Sequence, residues 1–345
     1  MKKMKVLITC DLFPPEVHGG TEITAYNVAK TLKENGHDVI VFCRGDPAIT
    51  SYENIKTVRR RYKRWYLANF LSFPIVLKLA KSCDLIHNFT FDTSLVSCIV
   101  AKILRKPAIM SIMGVYGDAW IEMRKSFIKG KIRKFFEKLQ LKLPYDKLVF
   151  PSEYSRKLGI RFGAPEQKSE VFVPGIEYKK FKVSKKEPYV LFVGRIVPQK
   201  GLDYLIEAAK QLPNVKFKIV GEGSEKERLK KIAPKNVEFL HIPHGNKRLY
   251  EVYSKALVFC LPSIGEGIGI VHLEAMASGC AIVSTIPFDY SGFTVEPRNV
   301  KQLVEKIKYL FENRKEAIKM GRENRKKAKQ YDGWERIFKI YRDLI

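Results

Sequence analysis

Glu266 and Glu274 stand eight positions apart in the run Glu266-Gly267-Ile268-Gly269-Ile270-Val271-His272-Leu273-Glu274, a spacing suited to holding hydroxyl groups. The run reads strand, glycine turn, helix. Residues 257–261 form a short apolar stretch suited to a buried strand, Pro262-Ser263 stops it, and residues 274–278 carry helix formers up to Gly279. Glycines at 265, 267 and 269 let backbone N–H groups approach a ligand, where a helix N-terminus offers orphan donors and positive potential. Such a turn suits phosphate. Carboxylates on either side of it can grip hydroxyls flanking a diphosphate. A nucleotide sugar has that shape: sugar hydroxyls, diphosphate, ribose hydroxyls. Taken alone, the same residues also fit a glycine-rich turn with two solvated glutamates.

A second group with chemistry is Arg195 and Lys200, in Gly194-Arg195-Ile196-Val197-Pro198-Gln199-Lys200-Gly201. They follow an apolar strand, at the edge where an open α/β sheet binds ligands. A fork-shaped guanidinium and a point ammonium suit a diphosphate whose charge grows as its bond to a sugar breaks. Gly221-Glu222-Gly223-Ser224 follows another strand to the same edge, and is also an ordinary turn sequence. Near the start, Gly19 and Gly20 form a glycine pair ahead of a helical pattern. His18 and His87 are the histidines nearest likely ligand loops, though a lone histidine is more often structural. No metal-ligand cluster is evident among the histidines and cysteines, so no metal site is expected.

The elements that must position these residues alternate strand and helix, the pattern of parallel sheets with crossover helices. Strands are expected at 6–8, 38–43, 84–87, 107–112 and 147–150, then in a second series at 189–193, 216–220, 237–240, 257–261 and 281–284. An amphipathic helix is expected from 22 to 35, stopped by Gly36. At 345 residues the chain is too long for one ordinary core, and 46% hydrophobic with 29% charged residues makes it globular. The charged stretch 179–188 reads as a linker. The expected division is therefore 1–180 and 181–330, with a terminal helix in 331–345 placing Trp334, Ile337, Phe338 and Tyr341 on one face. Neither half carries Gly-x-Gly-x-x-Gly, which disfavours dinucleotide redox chemistry. The first apolar run ends at Asp11, too short for a signal h-region, and no run approaches the roughly 20 residues of a membrane span. Six cysteines without Cys-x-x-Cys spacing read as buried thiols in a reducing cytoplasm.

The chain resembles the GT4-type retaining glycosyltransferases (glycosyl transferases group 1) of the GT-B fold. Four motifs carry the resemblance, in family order: Phe13-Pro14-Pro15-Glu16-Val17-His18-Gly19-Gly20-Thr21-Glu22; Val173-Pro174-Gly175-Ile176-Glu177 with Phe181, where the family's Asn is missing; 191–201; and 262–269 with Glu274. The resemblance implies two Rossmann-like parallel-sheet domains facing a central cleft, the first binding acceptor and the second the nucleotide sugar, with the terminal helix crossing back to the first domain. It implies that Glu274 holds the ribose hydroxyls and Glu266 a hydroxyl of the donor hexose. Gly267, Ile268, Gly269 and Ile270 would offer backbone N–H groups, Gly221 and Gly223 border the nucleotide, and Gly19 and Gly20 close over the diphosphate. Arg195 and Lys200 would stabilise the leaving group without a metal, in a front-face transfer that keeps the anomeric configuration. No cofactor is implied beyond the donor substrate. The family's histidine after the 109–112 strand is absent, leaving Tyr116 and Asp118 as acceptor-side candidates with His18. Its Gly-Gly-x-Pro-Glu segment is replaced by the shorter 284–293, so base preference does not carry over. A sugar phosphorylase or a nucleotide-sugar epimerase would share the fold.

The net charge of +27 is unevenly spread. Lys56, Arg59, Arg60, Arg61, Lys63 and Arg64 surround Val58, Tyr62, Trp65 and Tyr66. Further on, Ile128, Ile132, Phe135, Leu139 and Leu143 fall on one helical face, with basic residues from Arg124 to Lys142 around them. A basic amphipathic helix with aromatics reads as a surface for anionic lipid, or as a solvated helix packed on its sheet. A basic nucleic-acid or membrane-binding module is the non-enzyme alternative, but no nucleic-acid recognition motif supports a nucleic-acid partner. The expectation is a cytoplasmic enzyme, peripheral on the cytoplasmic membrane face, acting on a lipid-linked or membrane-presented glycan or glycolipid.

Overall fold

The computed structural model describes residues 2–17, 19–62, 70–89, 91–123, 127–243 and 246–344. His18, the Lys63, Arg64, Trp65 and Tyr66 part of the first basic cluster, and Arg124 and Lys125 lie outside the described residues. The chain divides into two compact units, residues 1–174 with 334–345, and 175–333. The passage between them falls at Pro174-Gly175, a few residues ahead of the expected 180, and the charged stretch 179–188 lies within the second unit.

In the first unit the apolar runs become strands β1 (Lys5–Thr9), β2 (Asp38–Arg44), β3 (Ser51–Tyr52), β4 (Ile55–Arg60), β5 (Leu85–Asn88), β6 (Ala108–Ser111), β7 (Lys147–Phe150) and β8 (Ser169–Val171). They form one sheet in the order β3-β4-β2-β1-β5-β6-β7-β8, parallel apart from the β3–β4 hairpin. β1, β2, β5, β6 and β7 are buried almost throughout, as expected of parallel strands covered by helices on both faces. Strand order reverses direction between β1 and β5, so the crevice outside their carboxyl ends is the natural ligand position.

β4 corrects the reading of the basic cluster. Its alternation points Ile55, Thr57 and Arg59 inward, and Arg59 is only 2% exposed. Its guanidinium donates to the carbonyls of Phe13 (2.9 Å) and Pro14 (2.5 Å) and to Glu16 Oε2 (3.2 Å), pinning the loop that leads to Gly19 and Gly20. Arg59 is thus a loop anchor and not part of a surface charge. Arg59→Met should destabilise the protein by roughly 3 kcal/mol, because two buried carbonyls lose their donor. Urea unfolding measures this, and a loss below about 0.5 kcal/mol would refute the anchoring role.

The C-terminal segment packs in this first unit, but as a shorter helix (Ile337–Arg342) than the one expected. Gly333, at φ +73°, breaks the pattern before it. Trp334 lies against Phe172, and the Tyr341 hydroxyl meets His87 Nδ1 at 2.7 Å.

The second unit contains β9 (Glu187–Val193), β10 (Lys216–Val220), β11 (Val237–Leu240), β12 (Ala256–Leu261), β13 (Ala281–Ser284) and β14 (Gly292–Thr294). Their order is β11-β10-β9-β12-β13-β14, all parallel. The switch point lies between β9 and β12. The loop after β9 carries Arg195 and Lys200, and the loop after β12 carries Glu266. Topology alone therefore brings the two motifs to adjacent strand ends.

Candidate active site

The two loops are clasped together by backbone. The Ile264 N–H donates to the Gln199 carbonyl at 2.8 Å. A Cβ at Gly201, which has φ +66°, would lie 2.0 Å from the Pro262 carbonyl oxygen, so only glycine permits this approach. Within the clasp Lys200 Nζ bonds Glu266 Oε1, and Ser263 Oγ donates to Glu266 Oε2 at 2.9 Å. Burial pushes the Glu266 carboxyl up, but the Lys200 ammonium and Ser263 outweigh it and hold the group below its ordinary value. Both partners are mostly buried, so the pair is a preset charge couple and not a surface ion pair. Arg195 is exposed and has no ion-pair partner among the described residues.

Beyond Glu266 the helix Ile270–Ala277 begins, capped by Gly269 without a side-chain bond. The N–H groups of Gly267, Ile268, Gly269 and Ile270 have no acceptor among the described residues. They form a ready anion site at a helix N-terminus, flanked by the cation Lys200. Glu274 sits in the second turn of this helix, where its Oε2 accepts from the Tyr253 hydroxyl at 2.8 Å. Burial pushes its carboxyl up to about 7 despite that hydrogen bond. The two glutamates of the motif are therefore in opposite states: Glu266 ionised beside a cation, Glu274 poised near neutrality.

Gly221 and Gly223 have a packing reason for their identity. Cβ atoms there would lie 1.9 Å from the Gly194 carbonyl and 2.2 Å from the Ile196 carbonyl. They seat the Arg195 loop from beneath. Glu222 between them is drawn to Lys226 and His241, 2.6 Å from each. Gly20 differs, because a Cβ there would meet nothing within 4 Å, so packing does not demand the glycine.

Two polar groups escaped the sequence reading. His272, inside the Glu266–Glu274 run, is fully buried, and burial pushes its imidazole down to about 4, leaving it neutral. Ser284 Oγ accepts from the Ile286 N–H (3.1 Å) and lies 3.2 Å from the Leu261 carbonyl. His272 Nε2 meets Ser284 Oγ at 2.9 Å, and Nδ1 has no hydrogen-bond partner among the described residues. Nδ1 and Glu266 Oε1 lie 3.9 and 3.7 Å from the position a Cβ on Gly269 would occupy. Tyr290, from the shortened 284–293 segment, stacks on the His272 ring at 6.5 Å. The signal was a histidine amid an apolar helix start, which reads as core until the neighbouring strand is placed.

In the first unit His87 is structural, held by Tyr341 and by Ser111 Oγ at 2.8 Å. The second missed group is Asp92, which shares a small crevice with Asp11, Arg44, Tyr62 and Thr93 by the carboxyl ends of β1 and β5. Burial and the Asp11 charge push its carboxyl up to about 6. Beside the crevice, Asn88 donates to Thr9 and Thr93 while its Oδ1 lacks a partner among the described residues. Tyr116 packs on Trp120, and Asp118 is exposed and paired with Lys134. No group of three His, Cys, Asp or Glu side chains able to hold a metal occurs among the described residues.

Against this geometry, the profile of the family described as glycosyl transferases group 1 matches residues 176–327, and that of glycosyltransferase family 4 matches residues 18–180. A glycosyltransferase of Haemophilus influenzae is 26% identical over 95% of this chain and 96% of its own. The N,N'-diacetylbacillosaminyl-diphospho-undecaprenol alpha-1,3-N-acetylgalactosaminyltransferase of Campylobacter jejuni is 25% identical over 95% of this chain and 97% of its own. Among solved structures, Anabaena HepE in complex with UDP and glucose superposes with a TM-score of 0.78 at 19% identity, covering 99% of this chain and all of that one. The last likeness is one of fold, the GT-B arrangement of two parallel-sheet α/β domains.

Proposed function

The chain belongs to the group 1 glycosyltransferases, and on that premise we propose that it moves a sugar from a nucleoside diphosphate to a lipid-linked or membrane-presented glycan, retaining the anomeric configuration without a metal. The observation that carries the reading is the clasp of the two loops. It sets Lys200, Glu266 and four open N–H groups at one strand edge, beside the exposed Arg195. In this reading the N–H groups and Lys200 hold the diphosphate, and Arg195 meets the charge that grows as the glycosidic bond breaks. Glu274 accepts from the ribose hydroxyls. Glu266 accepts from a hydroxyl of the transferred sugar. The leaving phosphate takes the acceptor proton on the face where the acceptor attacks. In the first unit, Gly19 and Gly20 offer N–H groups at the head of the helix Gly20–Glu34. Asp92 is the better-placed group for orienting an acceptor hydroxyl, since Asp118 is already paired. A lipid-linked acceptor is supported by the diphospho-undecaprenol-directed activity of the Campylobacter relative, and a uridine nucleotide by the ligand of the Anabaena structure.

The test is a thermal-shift screen of UDP, GDP and their sugar conjugates. A ligand present at a hundred times its dissociation constant stabilises by about 2.7 kcal/mol, a shift of several degrees. Turnover of the stabilising donor should survive EDTA. Activity lost with EDTA and restored by Mg²⁺ or Mn²⁺ would overturn the metal-free mechanism, and silence toward every nucleotide would overturn the donor site.

A further inference from the structure

The helix Phe127–Leu141 divides its side chains unusually. Its buried positions are Gly130, Glu137 and Leu141. They fix it to the segment that follows β6. A Cβ at Gly130 would lie 2.5 Å from Ile121 Cα, so the helix crosses Ala119–Met123 in backbone contact. Glu137, 3% exposed, accepts from the Tyr116 N–H at 3.0 Å and the Gly117 N–H at 2.7 Å, and Lys134 pairs with Asp118.

The apolar stripe, which periodicity leaves free to face lipid or the sheet, points outward. Phe127, Ile128, Ile132, Phe135, Phe136 and Leu139 are 59, 69, 48, 59, 44 and 46% exposed. Of that stripe, Leu143, beyond the helix end, packs toward the core beside the buried Leu141. Isolated exposed apolar residues need no explanation, but six on one helix mark an interaction surface. Between 127 and 142 the sequence has six basic residues and one acid, and the acid is the buried Glu137. Lys129, Lys131, Lys138 and Lys142 are exposed among the apolar side chains. Gln140 of the same helix donates to the Phe91 carbonyl, just before the helix Ser94–Leu104, whose Leu95, Ile99 and Ile103 are also exposed.

We propose that the helix Phe127–Leu141 docks on an anionic lipid bilayer, its outer face inserting at the headgroup boundary while its inner face holds the 116–118 loop in register with the membrane. Apolar side chains ringed by lysines complement an acyl boundary beneath negative headgroups, and a protein partner of matching shape would be expected to need fewer cations. No helix among the described residues is long and apolar enough to cross a membrane, so this contact lies in the interface plane. Docking then fixes the carboxyl end of β6, with Tyr116 and Asp118, relative to a membrane-presented acceptor. The proposal rests on that reading of the acceptor, but vesicle binding is read without turnover, so the two can fail separately.

The test is co-sedimentation of the full chain with vesicles of phosphatidylcholine alone or with a third phosphatidylglycerol. The parent should pellet with the anionic vesicles only, and less as salt rises from 0.1 M to 1 M, where the Debye length falls from about 10 to about 3 Å. Changing Ile128, Ile132 and Phe135 together to Gln should weaken binding at least about a hundredfold without unfolding, since all three are exposed. Changing Lys131, Lys138 and Lys142 to Gln should cost roughly fivefold each. A polarity-sensitive dye on Ile132→Cys, selective because the six native cysteines are buried, should shift to the blue on anionic vesicles. Equal pelleting with both lipids, undiminished binding of the apolar triple variant, or a dye that stays in water would each overturn docking. A parent dimer that this variant dissociates, with vesicle binding unchanged, would assign the face to a second copy of the chain.

Discussion

Glu274→Gln is expected to raise the melting temperature of the ligand-free protein by about 5–10 °C at pH 8, and far less at pH 5, while weakening nucleotide binding. The carboxyl is held near 7 by burial, against about 4.5 in an unfolded chain. A raised folded value means that the folded state keeps a proton the unfolded state gives up. The stabilising contribution is therefore complete below about 4.5 and is lost as pH rises through 7. At pH 8 the ionised, buried carboxylate costs on the order of 2–3 kcal/mol, against under about 1 kcal/mol at pH 5. Glutamine keeps the shape and the acceptor for Tyr253 but carries no charge, so it escapes the cost. In binding the balance reverses. Two ribose hydroxyls would lose an ionised acceptor, a loss on the order of 1.5–3 kcal/mol. The parent's affinity for a nucleoside diphosphate should also fall about tenfold per pH unit below 7, because the hydroxyls select the ionised form, and the variant should lose that dependence. Scanning calorimetry at the two pH values and titration with the diphosphate measure both halves. No gain at pH 8 would show that the carboxylate is solvated. Unchanged affinity would remove Glu274 from the ribose.

What was legible beforehand follows from which residues act locally. The glycine turns and strand ends are local, and the sheet order then had only one way to set the loops of β9 and β12 side by side. Arg59 was misread because charge patterning sees a run of basic residues, whereas strand alternation sends every second one inward. His272 was passed over because its neighbour Ser284 arrives from the next strand, twelve positions on. The apolar stripe of Phe127–Leu141 was legible with its direction left open, toward lipid or toward the sheet. Periodicity defines a face without saying what covers it, and here the inner face is chosen by Gly130 and Glu137. Asp92 carried no motif, and only the crevice by β1 and β5 singles it out.

The second large effect separates Lys200 from Arg195. Both substitutions, Lys200→Met and Arg195→Ala, should lower kcat by roughly 10²–10³, the scale for removing a donor aimed at developing charge. Their effects on stability should differ. Arg195 is exposed and without an ion-pair partner among the described residues, so its loss should stay within about 0.5 kcal/mol. Lys200 neutralises Glu266, so Lys200→Met should cost roughly 2–4 kcal/mol at pH 8 by leaving a mostly buried carboxylate unpaired. In the parent, the lowered Glu266 value means that its contribution is present above about 4.5 and lost as pH falls through the folded value. In Lys200→Met burial acts unopposed, so the carboxyl rises and the penalty shrinks on acidification. Adding Glu266→Gln removes the stranded charge and should restore most of the stability, yet the double variant should remain as inactive as either single one. Chemical denaturation and steady-state turnover of the four proteins form the cycle. Additive stabilities would show that the couple carries no interaction. Recovery of turnover in the double variant would show that Lys200 acts only through Glu266 and never meets the leaving group.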